Sequence, residues 1–284
     1  MRFWEICSRH IFKLVAGRAL RKIKANSIET SLAKSIQMID PQTLAEMRSF
    51  VKNRQTAEGG FAGRGGNCDL YYTLFGCFVA EALGMTELQP ALKDYVKKVS
   101  LSNTLKGVHQ KCAVILYSKL FGPGSLPATL KKTEMIHAPY SAFINLLAGY
   151  YAEDFLGLYR IQRKLTTVDV HAGMPCSVTA AHLVLQTCME KQTNELKEQL
   201  SAFYRNDGSY AAVKGAPAGD LLSTGVALYA LSFADVDTRV IKPECLDYID
   251  ERYSEGGFCA TAWDADPDVE YTFYGLLGLG ALSN

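Results

Sequence analysis

Two kinds of helical pattern alternate along the chain. One is amphipathic: Leu44 to Arg54, and Cys245 to Tyr253 in "CLDYIDERY", mix apolar and charged positions at helical spacing. The other is apolar nearly all round: Leu74 to Leu83, Gly225 to Phe233 and Phe273 to Leu282, the last within "TFYGLLGLGALS". A helix with no polar face has to be covered on every side. An inner ring of apolar helices inside an outer ring of amphipathic ones meets both demands. The pattern therefore predicts an all-α fold, an α/α toroid of six hairpins.

A joint repeats between the two helices of a unit. Glu58-Gly-Gly-Phe61 precedes Asp69 and Thr73, Asp207-Gly-Ser-Tyr210 precedes Asp220 and Thr224, and Glu255-Gly-Gly-Phe258 precedes Asp268 and Thr272. Each reads acid, glycine, small residue, aromatic, a loop, then Asp-x-x-x-Thr opening a helix. Glycine supplies positive φ, the aromatic packs, and the Asp caps the helix. The first loop, "GGFAGRGGN", lacks the Gly-Lys-Ser/Thr of a Walker loop, so the repetition reads mainly as architecture. The middle of the chain keeps the helical pattern without the joint. There His109, His137 and His171 are taken as substitutes for the Asp, giving six units that start at 69, 109, 137, 171, 220 and 268.

Composition narrows the class. Of 284 residues, 48% are hydrophobic and 21% charged, which is globular. A net charge of +1 argues against a nucleic-acid partner, because no surplus of cations awaits a phosphate backbone. No apolar run is long enough to span a bilayer. Cysteines in apolar segments, such as Cys77 and Cys112, with no Cys-x-x-Cys, point to a reduced cytoplasmic protein. Residues 1–24 differ: seven Lys/Arg stand against Glu5, with apolar residues at helical spacing. That basic helix either packs on its own domain or makes peripheral contact with an anionic membrane. The expected organisation is a basic helical arm over residues 1–40 and a toroid over 41–284.

The candidate chemistry sits at the helix starts. Helix N-termini attract anions through free N–H groups and the macrodipole. Three of the chain's five histidines fall in this ring of starts. Asp220, His109, His137 and His171 form a candidate set for a divalent metal. Asp264, Asp266 and Asp268 in "WDADPD" are a weaker candidate for a hard cation. His182, inside an apolar helix, reads as a core residue.

"GGFAGRGGNCDLYYTLFG" and "GGFCATAWDADPDVEYTFYG" resemble the shared repeat of protein prenyltransferase β subunits and of squalene-hopene and other class II terpene cyclases. Within that superfamily the Rab geranylgeranyl transferase β subunits look most similar. "HAGMPC", from His171, resembles a further segment of the family, and the likeness runs over roughly residues 44–284. It implies the toroid, an isoprenoid or lipid-like substrate, and a helical-repeat partner subunit. It also implies a zinc held by an Asp, a Cys two residues on, and a His in the next repeat. The matching positions here are Asp220, Leu222 and Tyr271, so a divalent metal would need another arrangement.

For the diphosphate, His171 and Lys214 match family positions, while Pro217 and Ser223 do not. Tyr72 lines the same site. In the cyclases an Asp-x-Asp-Asp-Thr motif protonates an alkene. Asp268-Val-Glu270-Tyr271-Thr272 keeps part of it, so the candidate catalytic residues are Glu270, Asp268 and Tyr271. The leading expectation is a prenyltransferase-like protein without the family's zinc. The alternatives are a non-catalytic module that pairs with a helical partner, and a cyclase-like proton donor at Glu270. A glycan-processing toroid would need two of Asp220, Asp268 and Glu270 close together.

Overall fold

The computed structural model describes residues 22–102, 104–131, 142–154, 173–188 and 190–283. These are mostly helical. The helices are α1 (Ile28–Ile36), α2 (Pro41–Arg54), α3 (Leu70–Ala82), α4 (Gln89–Ser100), α5 (Gly107–Phe121), α6 (Ala128–Lys131), α7 (Ala142–Tyr151), α8 (Cys176–Cys188), α9 (Asn194–Ser201), α10 (Leu221–Phe233), α11 (Lys242–Asp250) and α12 (Val269–Ala281). One two-residue hairpin, β1 (Tyr253–Ser254) and β2 (Gly257–Phe258), pairs Tyr253 with Phe258. No helix among the described residues is long and apolar enough to cross a membrane.

The apolar helices pack as a series. α3 packs on α5, α5 on α7, α7 on α8, α8 on α10, α10 on α12, and α12 on α3. The amphipathic helices α2, α4, α9 and α11 contact α3, α5, α8 and α12 respectively. The division follows from the pattern: α10 and α12 bury nearly every residue, whereas α4 buries Leu92, Tyr95 and Val96 and leaves its lysine face outside.

The three joints fold alike. Gly59, Gly208 and Gly256 have φ of +94°, +81° and +85°. At each, a Cβ would strike a backbone carbonyl of an amphipathic helix: Ala91 in α4, Glu244 in α11 and Glu46 in α2. Glycine is required on both counts. Each threonine hydroxyl accepts the backbone N–H of the joint's aromatic: Thr73 from Phe61 (3.0 Å), Thr224 from Tyr210 (2.9 Å) and Thr272 from Phe258 (3.1 Å). Each aspartate caps its helix, Asp69 accepting from the Tyr72 amide, Asp220 from Ser223 and Asp268 from Tyr271. The third joint lies against α2, and Arg54 at the end of α2 donates to the Pro267 carbonyl at 2.7 Å. The first and last units are thereby joined.

α1 falls within the arm expected over residues 1–40, and it packs on α12 and α3. Its Ile28 and Leu32 are buried, and Gly280 of α12 leaves no room for a Cβ beside the Ser31 backbone. Glu29 meets the C-terminal ends of α5 and α7: Lys119 Nζ lies 2.6 Å away, and the Tyr151 hydroxyl donates to it at 2.6 Å. Lys119 also pairs with Glu81 near the end of α3, at 2.7 Å. Burial alone would raise the Glu29 pKa, but Lys119 and Tyr151 outweigh it and hold the carboxyl below its usual range. Apart from Lys22 to Lys24, the basic segment 1–24 lies outside the described residues.

Candidate functional site

The first turns of α3 and α12 bring a group of polar side chains into contact. Residues two places after the capping aspartates are Tyr71, Leu222 and Glu270. Two of these equivalent positions touch: the Tyr71 hydroxyl donates to Glu270 Oε1 at 2.6 Å. Glu270 is buried, and burial is the main cause that lifts its carboxyl to about 7. The Tyr71 hydrogen bond opposes the rise, while the nearby Asp268 charge adds to it. At neutral pH the carboxyl is therefore far easier to protonate than an ordinary glutamate. Because Oε1 accepts from Tyr71, a proton on the carboxyl resides on Oε2. Tyr71 is itself raised far above its ordinary value by burial, so it stays a donor.

Asp268 has two tasks. Its Oδ1 accepts the Tyr271 amide at 2.9 Å, and its Oδ2 accepts Arg64 Nε at 3.0 Å. Burial raises its pKa, and these contacts limit the rise. Arg64 comes from the glycine loop of the first joint and also pairs with Asp264. Its guanidinium lies 5.5 Å from the centre of the Tyr271 ring. Tyr271 is pushed up to about 12, by burial first and then by Glu270 and Asp268. Tyr72 sits edge-on to Tyr71 with ring centres 5.7 Å apart, and Gly63 presses flat against its ring. Below these groups lies an aromatic wall. Phe75 is 4.9 Å from Tyr71, 5.1 Å from Phe273 and 5.5 Å from Tyr274, and Phe78 is 5.7 Å from Phe273.

The structure thus brings together Glu270, Asp268, Tyr271 and Tyr72 of the residues expected from sequence. It adds Tyr71 and Arg64, which the sequence reading missed. The signal for Tyr71 was the repeat register, since it stands where Glu270 stands. For Arg64 it was a lone cation in an otherwise small and polar loop.

Other expected residues lie apart. Asp220 caps α10, its carboxylate taken by the Ser223 amide and hydroxyl at 2.8 Å each, and burial raises its pKa. His109 is in the first turn of α5, half exposed, with Nε2 3.8 Å from Asp69. It does not occupy the place of a capping Asp. That place belongs to Lys106, whose φ of −138° and ψ of 163° match Asp69, Asp220 and Asp268. Lys214 is exposed, its ammonium 5.9 Å from the Phe203 ring centre. His137 and His171 lie outside the described residues. No three His, Cys, Asp or Glu side chains gather as a metal site among the described residues. Asp264 and Asp268 of the "WDADPD" loop are engaged by Arg64. His182 is buried in α8, and burial lowers its pKa, which keeps it a neutral core residue.

The zinc arrangement of the prenyltransferases does not fit these residues. Leu222 offers no donor, and Tyr271 is a phenol held protonated. A diphosphate finds little at the three capped starts either. Their first-turn amides already serve the chain's own aspartates, and Arg64 is shared between two carboxylates. No family model matches the chain, and no curated protein matches it in sequence.

Proposed function

We propose that this chain is an α/α toroid of the prenyltransferase and terpene-cyclase type that binds an apolar, isoprenoid-like molecule between its inner helices, with Glu270 as its proton donor and acceptor. The ring reading is supported by the packing series that returns from α12 to α3, and by the third joint resting on α2. The single observation that carries the chemistry is Glu270: a buried carboxyl near 7, hydrogen-bonded by Tyr71 and set against an aromatic wall.

Such a carboxyl suits general acid–base work at neutral pH, because both protonation states are populated. In the acid direction the Oε2 proton adds to a carbon–carbon double bond. The alkene's π electrons form the new C–H bond, the carboxyl becomes carboxylate, and a carbocation is left in the substrate. Phe75, Phe273 and Tyr274 can face that cation with their ring electrons. Loss of a neighbouring proton to Glu270 restores the carboxyl and closes the cycle. Arg64 pairs with Asp268 beside it and opposes the rise that burial gives that carboxyl. Prenyl transfer without the family's zinc is the reaction the resemblance implies; acid–base chemistry is the one the described side chains equip.

The test is equilibrium binding of farnesol and of farnesyl diphosphate to the full chain, followed by product analysis for the wild type and Glu270→Gln. Binding of farnesol, with an altered product only in the wild type, is the expected outcome. Binding with no product in either would make the chain a non-catalytic module. Binding of neither overturns the reading.

A further inference from the structure

A second site lies away from Glu270. A cavity of about 450 Å³ is walled by Asn206 and Asp207, by Pro217 to Gly219, by α11, and by Ala262 and Trp263. It joins the second and third glycine joints on the side of the amphipathic helices. Its lining holds one cation, Arg252, and four carboxylates: Asp207, Glu244, Asp247 and Glu251.

Arg252 is unusual for an arginine. It is 7% exposed, and its guanidinium lies 5.0 Å from the Tyr248 ring centre. Nη2 donates to Glu251 at 2.7 Å, but Nε and Nη1 have no partner. Tyr248, also 7% exposed, has a hydroxyl with no partner either. Burial raises its pKa, so that hydroxyl is a standing donor. Three buried donors with no acceptor, on two adjacent side chains that line one cavity, are a cost folding does not ordinarily leave in place. Glu251, the one acceptor on this pair, is itself 68% exposed.

The same wall of the cavity, along α11, also carries the other sign. Glu244 and Asp247 are exposed on α11, whereas Asp207 is already tied to Ser209 and Arg205. Trp263 is 78% exposed, a large apolar face left in water at the rim. A purely anionic ligand would meet four carboxylates, and a purely cationic one would leave Arg252 and Tyr248 unpaired. We infer that this cavity binds a basic amino acid, or a short basic peptide, through its free carboxylate and its cationic side chain together. On binding, the carboxylate becomes the acceptor for the unpartnered N–H groups of Arg252 and the Tyr248 hydroxyl, a charge-assisted pairing that matches the fork of a guanidinium. The cation lies between Glu244 and Asp247 with Trp263 across it.

The chain has two tryptophans, Trp4 and Trp263, so a Trp4→Phe background isolates the reporter at the rim. The experiment titrates that full-length protein with L-arginine at low salt and follows Trp263 fluorescence. Agmatine, which lacks the carboxylate, and L-norvaline, which lacks the cationic side chain, are the comparison probes. Saturable binding of L-arginine is expected, with each comparison probe weaker by about tenfold or more. Arg252→Gln should abolish the response. Because that variant may not fold, Glu244→Gln with Asp247→Asn, both on the exposed face of α11, carries the same test and should weaken binding by about tenfold. No saturable change, an equal response to agmatine or norvaline, or an unaltered affinity in the α11 double variant would each overturn the inference.

Discussion

Asp69, Asp220 and Asp268 hold the first turns of α3, α10 and α12, while Lys106 stands before α5 with the same extended backbone and no side-chain hydrogen bond. The units on either side of that comparison differ throughout. In the three jointed units, glycine, aromatic, aspartate and threonine satisfy one another through backbone groups. At α5, the described start in the middle of the chain, Lys106 gives no side-chain cap, and the buried hydroxyls of Ser118 in α5 and Thr187 in α8 have no partner. The jointed units fix the positions of their helix starts, and the described site groups gather where two jointed units meet. Both Tyr71 and Glu270 stand two places after a capped aspartate, and both starts are held by a joint. Precise placement of the acid therefore comes from the repeat, not from the site itself.

The strongest way to break the comparison is to break a joint. Gly256→Ala puts a methyl group at φ +85° and into the Glu46 carbonyl of α2. Both effects act on the contact that joins the last unit to the first. The expected loss is about 3 kcal/mol or more, read as a lower midpoint in urea unfolding. Gly124→Ala, in the middle of the chain where a Cβ meets nothing, should leave the midpoint nearly unchanged. Equal losses at the two glycines would refute the idea that the joints carry special weight.

The next test separates the third unit from the second, which has Leu222 where Glu270 stands. Glu270 binds its proton more tightly in the folded chain than in the unfolded one, with a pKa of about 7 against the ordinary 4.5 of a glutamate. Between those two pH values the folded state holds the extra proton, so stability falls as pH rises through the window and is level above it. Glu270→Gln removes that dependence. It should be close to neutral below pH 4.5 and should stabilise the protein above pH 7, by roughly 3 kcal/mol at most. Unfolding curves at pH 5 and pH 8 check this, and a variant that destabilises at pH 8 would show that the carboxylate is paired more fully than burial implies. A stabilising loss of a buried acid is what a site kept for chemistry should display.

A smaller effect is expected at the threonine ties. Thr272→Val leaves the Phe258 amide buried without an acceptor, at a cost of about 1–3 kcal/mol, and Thr73→Val should do the same to Phe61. Ser118→Ala, which removes a hydroxyl that already has no partner, should cost nothing or stabilise slightly. Thermal melts of the three variants rank them directly.

The sequence carried the architecture at the joints because their chemistry is local: glycine, aspartate and threonine act on backbone groups a few residues away. The mostly helical fold and the three unit starts were readable for the same reason. Tyr71 and Arg64 were not, because each acts on a residue about two hundred positions distant, Glu270 and Asp268. Only the register of the repeat hints at the first. The histidine ring misled at α5. The sequence puts His109 in the repeat position of the Asp, but that position is set by backbone geometry and falls on Lys106.

That geometry supplies the finest test. Lys106 has φ −138° and ψ 163°, against −140° and 173° at Asp69, so an aspartate placed there meets the same free amides. Lys106→Asp also exchanges a positive charge for a negative one at the positive end of the α5 dipole. Capping by aspartate stabilises a helix by about 1 kcal/mol, and the charge exchange adds in the same direction. The variant should melt at a higher temperature than the wild type. If the gain appears, the middle of the chain has kept the backbone of the joint and lost only its side chain. A loss of stability would mean instead that Lys106 makes a favourable contact in solution that outweighs the open amides, and that α5 starts on terms different from those of the jointed units.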